Sequence, residues 1–437
     1  MSFQQPAPAR AELACPDGPA DIPESQRIGG IRIALVLLGV MIALPAFVMG
    51  ATLSRALGVT GGIKASLIGG AILSLVALPA AIAGARSRQT SYVLIQRAFG
   101  TQGGKLVNVV IVFVILGWFG VIAMMFGQAF LPTLPAALSS IPVRWLALAG
   151  CVLMAVITIV GFRALDLVCL FASPLKILVL LWTLSAALRT TSWSAVLAAE
   201  PSHAFSMMTG ISMVVGGIVG GAMLAPDISR FSKTPMQAAV ACALGYGVGF
   251  PLVLTLAGIP SVATGKMDLV VVMLSLGLGI PAMISVLLIA LTTNAFNLYA
   301  STLMLATVAP RRPLWQLTIG AAVIGTAAGL MGISESFIPY LVITGISIPP
   351  IAGVYLSHYY LGIKTGCGSG TPNWRLEAFL AWIVGTGFAY FADRAHFVVT
   401  SIPPLDSLLI SSVTFVLLRS LLSRVSARPE LQQGGDV

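Results

Sequence analysis

Charge is what this sequence has least of: 437 residues include only 14 aspartates and glutamates, and charged residues of all kinds make up 9%. So little ionisable surface cannot coat a water-soluble globule of this size. Histidine is as thin, with three (His203, His358, His396). There is no HExxH, no GxSxG and no acidic cluster within an apolar run, so an intramembrane enzyme is not supported. The five cysteines (Cys15, Cys151, Cys169, Cys242, Cys367) form no CxxC pair, which argues against a disulfide framework and a zinc site. A TVGYG-type filter is absent too, and with it the expectation of an ion-selective pore. The first 27 residues carry no basic-then-apolar run ending in a small-residue cleavage site, so residues 1–30 are expected to remain as a tail.

What is present is apolar: 57% of the residues are hydrophobic, with 45 glycines and 26 prolines spread through the apolar runs. Windows of about 20 apolar residues, enough to span a bilayer, occur twelve times: 31–53, 63–85, 105–130, 143–162, 164–188, 205–225, 237–260, 281–307, 314–332, 336–361, 374–392 and 402–423. The formal charge of +10 comes from basic residues scattered singly between these blocks. That is a topology signal and not a nucleic-acid face. With the N-terminus inside, seventeen of the 24 Lys and Arg fall on the inner side and six on the outer, leaving Lys176 within a span. The asymmetry predicts twelve helices with both termini cytoplasmic, in a bacterial inner membrane. Two shorter stretches, near Ser91–Phe99 and Leu269–Leu276, read as amphipathic helices at the interface.

Two spans are interrupted. The first carries Pro45 within Ala43-Leu44-Pro45-Ala46-Phe47; the sixth carries Gly216-Gly217-Ile218-Val219-Gly220-Gly221. Each opens a block of five helices if the chain is divided into 31–188 and 205–361, with 374–423 as two peripheral helices and 424–437 as a second tail. Matched interruptions in two halves point to an inverted repeat and a binding site at mid-membrane, where unwound backbone meets a ligand. Kinks and close-packing faces are the competing account of such residues.

Four candidate groups follow. Thr292-Thr293-Asn294, with Asn297 and Ser301, lays a polar stripe along the eighth span; it offers oxygen ligands for sodium or an amide for a heterocycle, or bonds its own backbone. Gly117-Trp118-Phe119-Gly120 sets a large ring at mid-span for stacking or for packing. Lys176, two residues after Pro174, is costly in hydrocarbon; it faces a cavity and relays a proton, or it snorkels to the headgroups. Asp227 and Arg230, spaced i, i+3 after the sixth span, read as structural or gating.

On Gly117–Gly120, Asp227-Ile228-Ser229-Arg230-Phe231, Thr292–Asn294 with Leu298-Tyr299-Ala300-Ser301, and Ile348-Pro349-Pro350-Ile351-Ala352-Gly353, the chain resembles the nucleobase:cation symporter family, in particular its cytosine permease branch. The resemblance implies an all-α integral membrane protein with a LeuT-like 5+5 inverted repeat plus two peripheral helices. It also implies a symporter that imports a nucleobase-like heterocycle with Na+ or H+, and no other cofactor. By the same resemblance, substrate would lie against Pro45, Ala46, Trp118, Gly217, Ile218, Asn294 and Asn297. Thr292 and Thr293, with carbonyls near Met41 and Leu44, would hold sodium. Ile115 and Ile122 stand where relatives place a base-binding glutamine, and Ile218 replaces an aromatic. A larger or less polar ring than cytosine is therefore expected. Lys176 is a further departure; in some proton-coupled relatives of the wider fold a lysine stands at the sodium position. An amino-acid carrier of the same fold and a non-transporting receptor remain the alternatives. The expected partners are the bilayer, the heterocycle and a monovalent cation, with a monomer as the compatible state.

Overall fold

In the computed structural model the described residues are 22–160, 162–333, 335, 337–362, 372–395 and 399–426. Most of both expected tails, together with Cys15, Cys367 and His396, lies outside them. The two free cysteines seen, Cys151 and Cys242, are buried singly.

Among the described residues the chain is helical throughout: α1 Gly30–Met41, α2 Leu44–Ser87, α3 Ser91–Phe99, α4 Thr101–Phe130, α5 Val143–Val160, α6 Phe162–Thr190, α7 Trp193–Ala198, α8 Met207–Met223, α9 Pro226–Ser229, α10 Pro235–Leu244, α11 Phe250–Thr264, α12 Leu269–Ser275, α13 Gly279–Val308, α14 Leu314–Leu330, α15 Phe337–Ser347, α16 Pro349–Tyr360, α17 Leu376–Ala395 and α18 Pro403–Ser426. A π turn at Gly245–Gly249 joins α10 to α11. Seven of these stretches are long and apolar enough to cross a membrane, and five shorter apolar helices accompany them. Every one of the twelve apolar windows falls on this set. The protein is an integral membrane protein, all-α in its described parts.

The first interruption is where the sequence puts it. Ile42 (φ −75°, ψ 84°) and extended Ala43 (φ −129°, ψ 154°) separate α1 from α2. Pro45 sits in the first turn of α2, where its missing N–H removes no intrahelical bond. Further on, Gly58 adopts φ 73°, ψ 163° and divides the 44-residue α2 into two spans. A backbone with positive φ strains any residue with a Cβ.

The second interruption is not where the glycines are. Gly216 to Gly221 are helical, and α8 runs unbroken to Met223 before turning at Leu224 and Ala225 into the short α9. Glycine lowers helix propensity by only about 1 kcal/mol, and burial of Val214, Val215 and Val219 on the opposite face is enough to outweigh it. Leu224 (φ −89°, ψ 11°) is where the chain leaves the helix, and Pro226 then opens α9, in a first-turn position where its missing N–H costs no intrahelical bond.

The two short helices expected at the interface exist, but both are packed inward. Seven of the nine residues of α3 are buried, against α4 and α16, and Leu269, Val270, Val272 and Met273 of α12 are buried as well. Their caps differ. Asp268 caps its own helix through the N–H groups of Val270 (2.7 Å) and Val271 (3.2 Å). The first turn of α3 instead receives the carboxylate of distant Asp227, which accepts from Ser91 N–H at 2.7 Å and Ser91 Oγ–H at 2.8 Å.

Small residues set the closest approaches. A Cβ at Gly50 would lie 2.2 Å from the Leu254 carbonyl oxygen of α11, and one at Gly120 would lie 2.6 Å from both Gly325 O and Gly329 N of α14. Van der Waals packing of this kind drives association where lipid offers no hydrophobic contrast.

Candidate functional site

A cavity of about 190 Å³ opens beside the α1–α2 break. One wall is the break itself, with Met41, Ala43, Pro45, Ala46 and Met49; a second is the α4 face of Ile111, Ile115, Trp118 and Ile122; a third is Gly216 to Gly221 on α8. From α13 come Thr293, Phe296, Asn297 and Ala300. Of the residues expected against a substrate, Pro45, Ala46, Ile115, Trp118, Ile122, Gly217, Ile218 and Asn297 all face this space.

Asn294 is elsewhere. It is fully buried, and its amide donates to the Phe119 carbonyl at 3.0 Å and towards Met154 Sδ at 3.4 Å, which ties α13 to α4 and α5. Its Oδ1 accepts from Asn297 Nδ2 at 3.4 Å. Asn294 thereby holds the amide of Asn297, which lines the cavity.

Trp118 meets Tyr340 edge-on, with ring centroids 5.6 Å apart at 69°, and Tyr340 Oη–H donates to the Val114 carbonyl. The tyrosine braces the indole from the α15 side, so the indole is part of a fixed wall. Ile218 of α8 adds an aliphatic side chain to the wall of the same cavity.

The polar side of the break is filled from within the chain. Lys176 reaches from α6, with 1% of its surface exposed, and its ammonium donates to Gly39 O at 2.8 Å, to Ile42 O at 3.4 Å and to Thr292 Oγ1. Thr293 Oγ1 lies 3.5 Å from Val40 O. The carbonyls drawn in are thus those of Gly39 and Ile42, the neighbours of the expected Met41 and Leu44. They are the orphan acceptors left where α1 stops. The side chain of Lys176 lies at the place where sodium was expected.

Asp227 and Arg230 stand apart from the cavity. Besides Ser91, Asp227 receives Arg230 Nε through its own backbone carbonyl at 3.3 Å, and the Arg230 guanidinium lies 4.4 Å from the Phe231 ring centroid. Arg88, at φ 58°, donates to the carbonyls of Arg230 (2.8 Å) and Ser232. Ile28 N donates to Phe231 O at 2.8 Å, and Lys233 N to Ile28 O at 3.1 Å. Burial pushes the Asp227 carboxyl above its ordinary value, against the Ser91 hydrogen bonds and the Arg230 charge, which pull it down.

Sequence reasoning missed Tyr246, Phe250, Phe296, Thr344 and Ile348, which also line the cavity. Tyr246 carried a usable signal: it sits in Gly245-Tyr246-Gly247, the site of the π turn, and such bulges gather at functional sites. Ser74 Oγ–H donates to Ala243 O at 3.1 Å beside it. The others became liners only through tertiary packing.

Comparison with known proteins agrees with this geometry. A family model described as permease for cytosine/purines, uracil, thiamine and allantoin matches residues 21–402. The cytosine permease of Escherichia coli strain K12 is 25% identical over 413 residues, covering 92% of this chain and 94% of the relative. Mhp1, a nucleobase-cation-symport-1 family transporter solved in a closed conformation with bromovinylhydantoin bound, superposes with a TM-score of 0.79 at 17% identity, over 94% of this chain and 96% of that one. Mhp1 in its inward-facing conformation gives the same TM-score and identity, over 93% of each chain.

Proposed function

Since the chain belongs to the family of permeases for cytosine/purines, uracil, thiamine and allantoin, we propose that it is a cation-coupled symporter importing a neutral, nucleobase-like heterocycle by alternating access. A permease carries its solute unchanged, and no catalytic step enters this account. The observation that carries the reading is the cavity at the α1–α2 break, walled by Trp118, Ile115, Ile122 and Ile218 and supplied with the Asn297 amide. Among the described residues no carboxylate, amine, guanidinium or imidazole lines it. A zwitterionic amino acid would leave its charges there without side-chain counter-ions, an expensive transfer, whereas a flat neutral ring stacks on the indole and gives an N–H to Asn297. The isoleucines favour a ring with fewer polar edge atoms than cytosine.

Protons are the proposed coupling ion. The Lys176 ammonium already bridges the break in α1–α2 to Thr292 on α13, leaving sodium no vacant set of oxygens there. On this reading, the protonated lysine clamps the first repeat to the second, and loss of the proton frees the two to rock. Sidedness follows the basic residues: the end bearing Arg86, Arg88, Arg97, Arg230 and Lys233 faces the cytoplasm of a bacterial inner membrane, and both chain ends lie on that side. A single copy holds the whole cavity, so the monomer is the proposed working unit.

The test is uptake of radiolabelled pyrimidines, purines and amino acids into proteoliposomes under imposed proton or sodium gradients. The expected result is accumulation of an uncharged heterocycle driven by an inward proton gradient and indifferent to sodium. Accumulation of an amino acid would overturn the substrate reading, and sodium-driven uptake abolished by Thr293→Ala would overturn the coupling reading. Binding without accumulation under any gradient would favour a receptor.

A further inference from the structure

Three side-chain hydroxyls line the cavity at the α1–α2 break, those of Tyr246, Thr293 and Thr344. Two of them direct their proton to the backbone: Thr344 Oγ1–H donates to Leu341 O at 3.1 Å, and Thr293 Oγ1–H to Val40 O at 3.5 Å. The third does not. Tyr246 is 2% exposed, and among the described residues its Oη makes no hydrogen bond. Other tyrosines of the bundle spend theirs within the chain: Tyr340 donates to Val114 O, Tyr355 to Met223 O at 2.5 Å and Tyr360 to Pro79 O at 2.8 Å. A buried phenol as a rule has a hydrogen-bond partner, so the idle proton of Tyr246 marks a place where the partner comes from outside the chain.

Both ends of this side chain are held. Its backbone lies in the π turn Gly245–Gly249, a kind of bulge that gathers at functional sites. The turn is pressed against α2 so closely that a Cβ at Gly70 would lie 2.8 Å from Tyr246 O, and one at Gly247 would lie 2.6 Å from Ser74 Oγ. Ser74 Oγ–H in turn donates to Ala243 O at 3.1 Å. At its far end the phenol reaches α8, where a Cβ at Gly221 would stand 3.6 Å from Oη. Gly221 itself lines the cavity. The hydroxyl is thus placed at the wall beside a residue with no side chain to cover it.

A lone donor in a largely aliphatic wall discriminates between rings. Ile115, Ile122 and Ile218, which line the same space, offer a ring oxygen nothing, so an acceptor brought to the Gly221 end is satisfied by Tyr246. A ring without that acceptor leaves the phenol unpaired, and a site built around a hydrogen bond rejects such a ring more strongly than an apolar pocket rejects a misfit in shape.

We propose that Tyr246 is a specificity-determining residue whose Oη–H donates to a carbonyl oxygen of the substrate beside Gly221, so that the cavity selects oxo-substituted rings. The proposal rests on the reading of the cavity as a site for a neutral heterocycle. It is tested by calorimetric titration of purified full-length protein in detergent with two pairs of rings, hypoxanthine against mercaptopurine and uracil against dithiouracil. Within each pair the N–H groups are kept and oxygen is replaced by sulfur, a weak acceptor. The parent is expected to prefer the oxo ring. Tyr246→Phe is expected to weaken oxo-ring binding about tenfold and to leave thio-ring binding within about twofold, so the preference collapses. Sulfur's extra bulk acts on parent and variant alike, and the change in the ratio therefore isolates the hydroxyl. Because the hydroxyl has no partner within the fold, the ligand-free melting temperature of Tyr246→Phe should match the parent's, unlike that of a tyrosine whose phenol serves a carbonyl. Equal binding of oxo and thio rings by the parent, a preference that survives in Tyr246→Phe, or a lower ligand-free melting temperature in that variant would overturn the proposal while leaving the heterocycle reading intact. Failure of all four rings to bind the parent would overturn that reading, and the proposal with it.

Discussion

At the end of α1 the carbonyls of Gly39 and Ile42 accept from the ammonium of Lys176; at the end of α8 the carbonyl of Met223 accepts from the phenol of Tyr355 at 2.5 Å. Both breaks leave acceptors that lipid cannot satisfy, and both are served by a side chain from another helix. One partner is an amine and the other a hydroxyl. Under the proposed proton coupling the first break would respond to an ion, whereas the second has only the Tyr355 hydroxyl to offer. The glycines divide in the same way. Gly50, eight residues beyond Ile42, would drive a Cβ into the backbone of α11, whereas Gly221 on α8 meets only Ile218 at 3.5 Å and the Tyr246 hydroxyl at 3.6 Å. One break is packed tight, whereas a Cβ at Gly216, Gly220 or Gly221 beside the other would meet nothing closer than 3.5 Å.

The largest expected effect comes from removing the charge. Lys176→Gln should lower proton-driven uptake about a hundredfold, as two hydrogen bonds to a charged donor at about 1.5 kcal/mol each are lost; uptake assayed at equal reconstitution levels checks it. Near-parental uptake in this variant would erase the distinction between the two breaks. Gly50→Ala should destabilise the protein by about 1–3 kcal/mol, through overpacking against a backbone that cannot yield, seen as a lower melting temperature in detergent. Tyr355→Phe strands the Met223 carbonyl and should cost about 1 kcal/mol of stability while leaving the gradient dependence of uptake unchanged. An altered ion dependence in Tyr355→Phe would make the second break as responsive as the first. Trp118→Ala should raise KM by up to about tenfold, the worth of an aromatic contact, with little change in melting temperature. Gly221→Ala is expected to have the smallest effect: a few-fold rise in KM for bulky rings and no loss of fold.

Much of this was legible in the chain itself. All twelve spans, the first break at Pro45 and both short helices after the second and seventh spans follow from apolar run length and from where proline and amphipathic patterns fall. Trp118, Gly217 and Asn297 were singled out because aromatic, small or polar residues in the middle of an apolar run stand out against hydrocarbon, and Ile115 and Ile122 through the family resemblance; all five line the cavity. The glycine run misled, since glycine permits unwinding without requiring it, and α8 stayed helical under the packing of its valine face. Asn294 misled for a related reason: the cost of an amide in the membrane guarantees a partner but does not say whether the partner is a ligand or the Phe119 carbonyl.

By itself the sequence determined that this chain must live in lipid, where its apolar helices fall and where α1 has to stop, because these depend on transfer free energies and local backbone sterics that act residue by residue. Only the tertiary structure decided that Lys176 meets Gly39, Ile42 and Thr292 and that Tyr246 and Phe296 turn towards the cavity. Those outcomes depend on how helices far apart in the chain rotate against one another, and that rotation is set by the summed packing of many side chains.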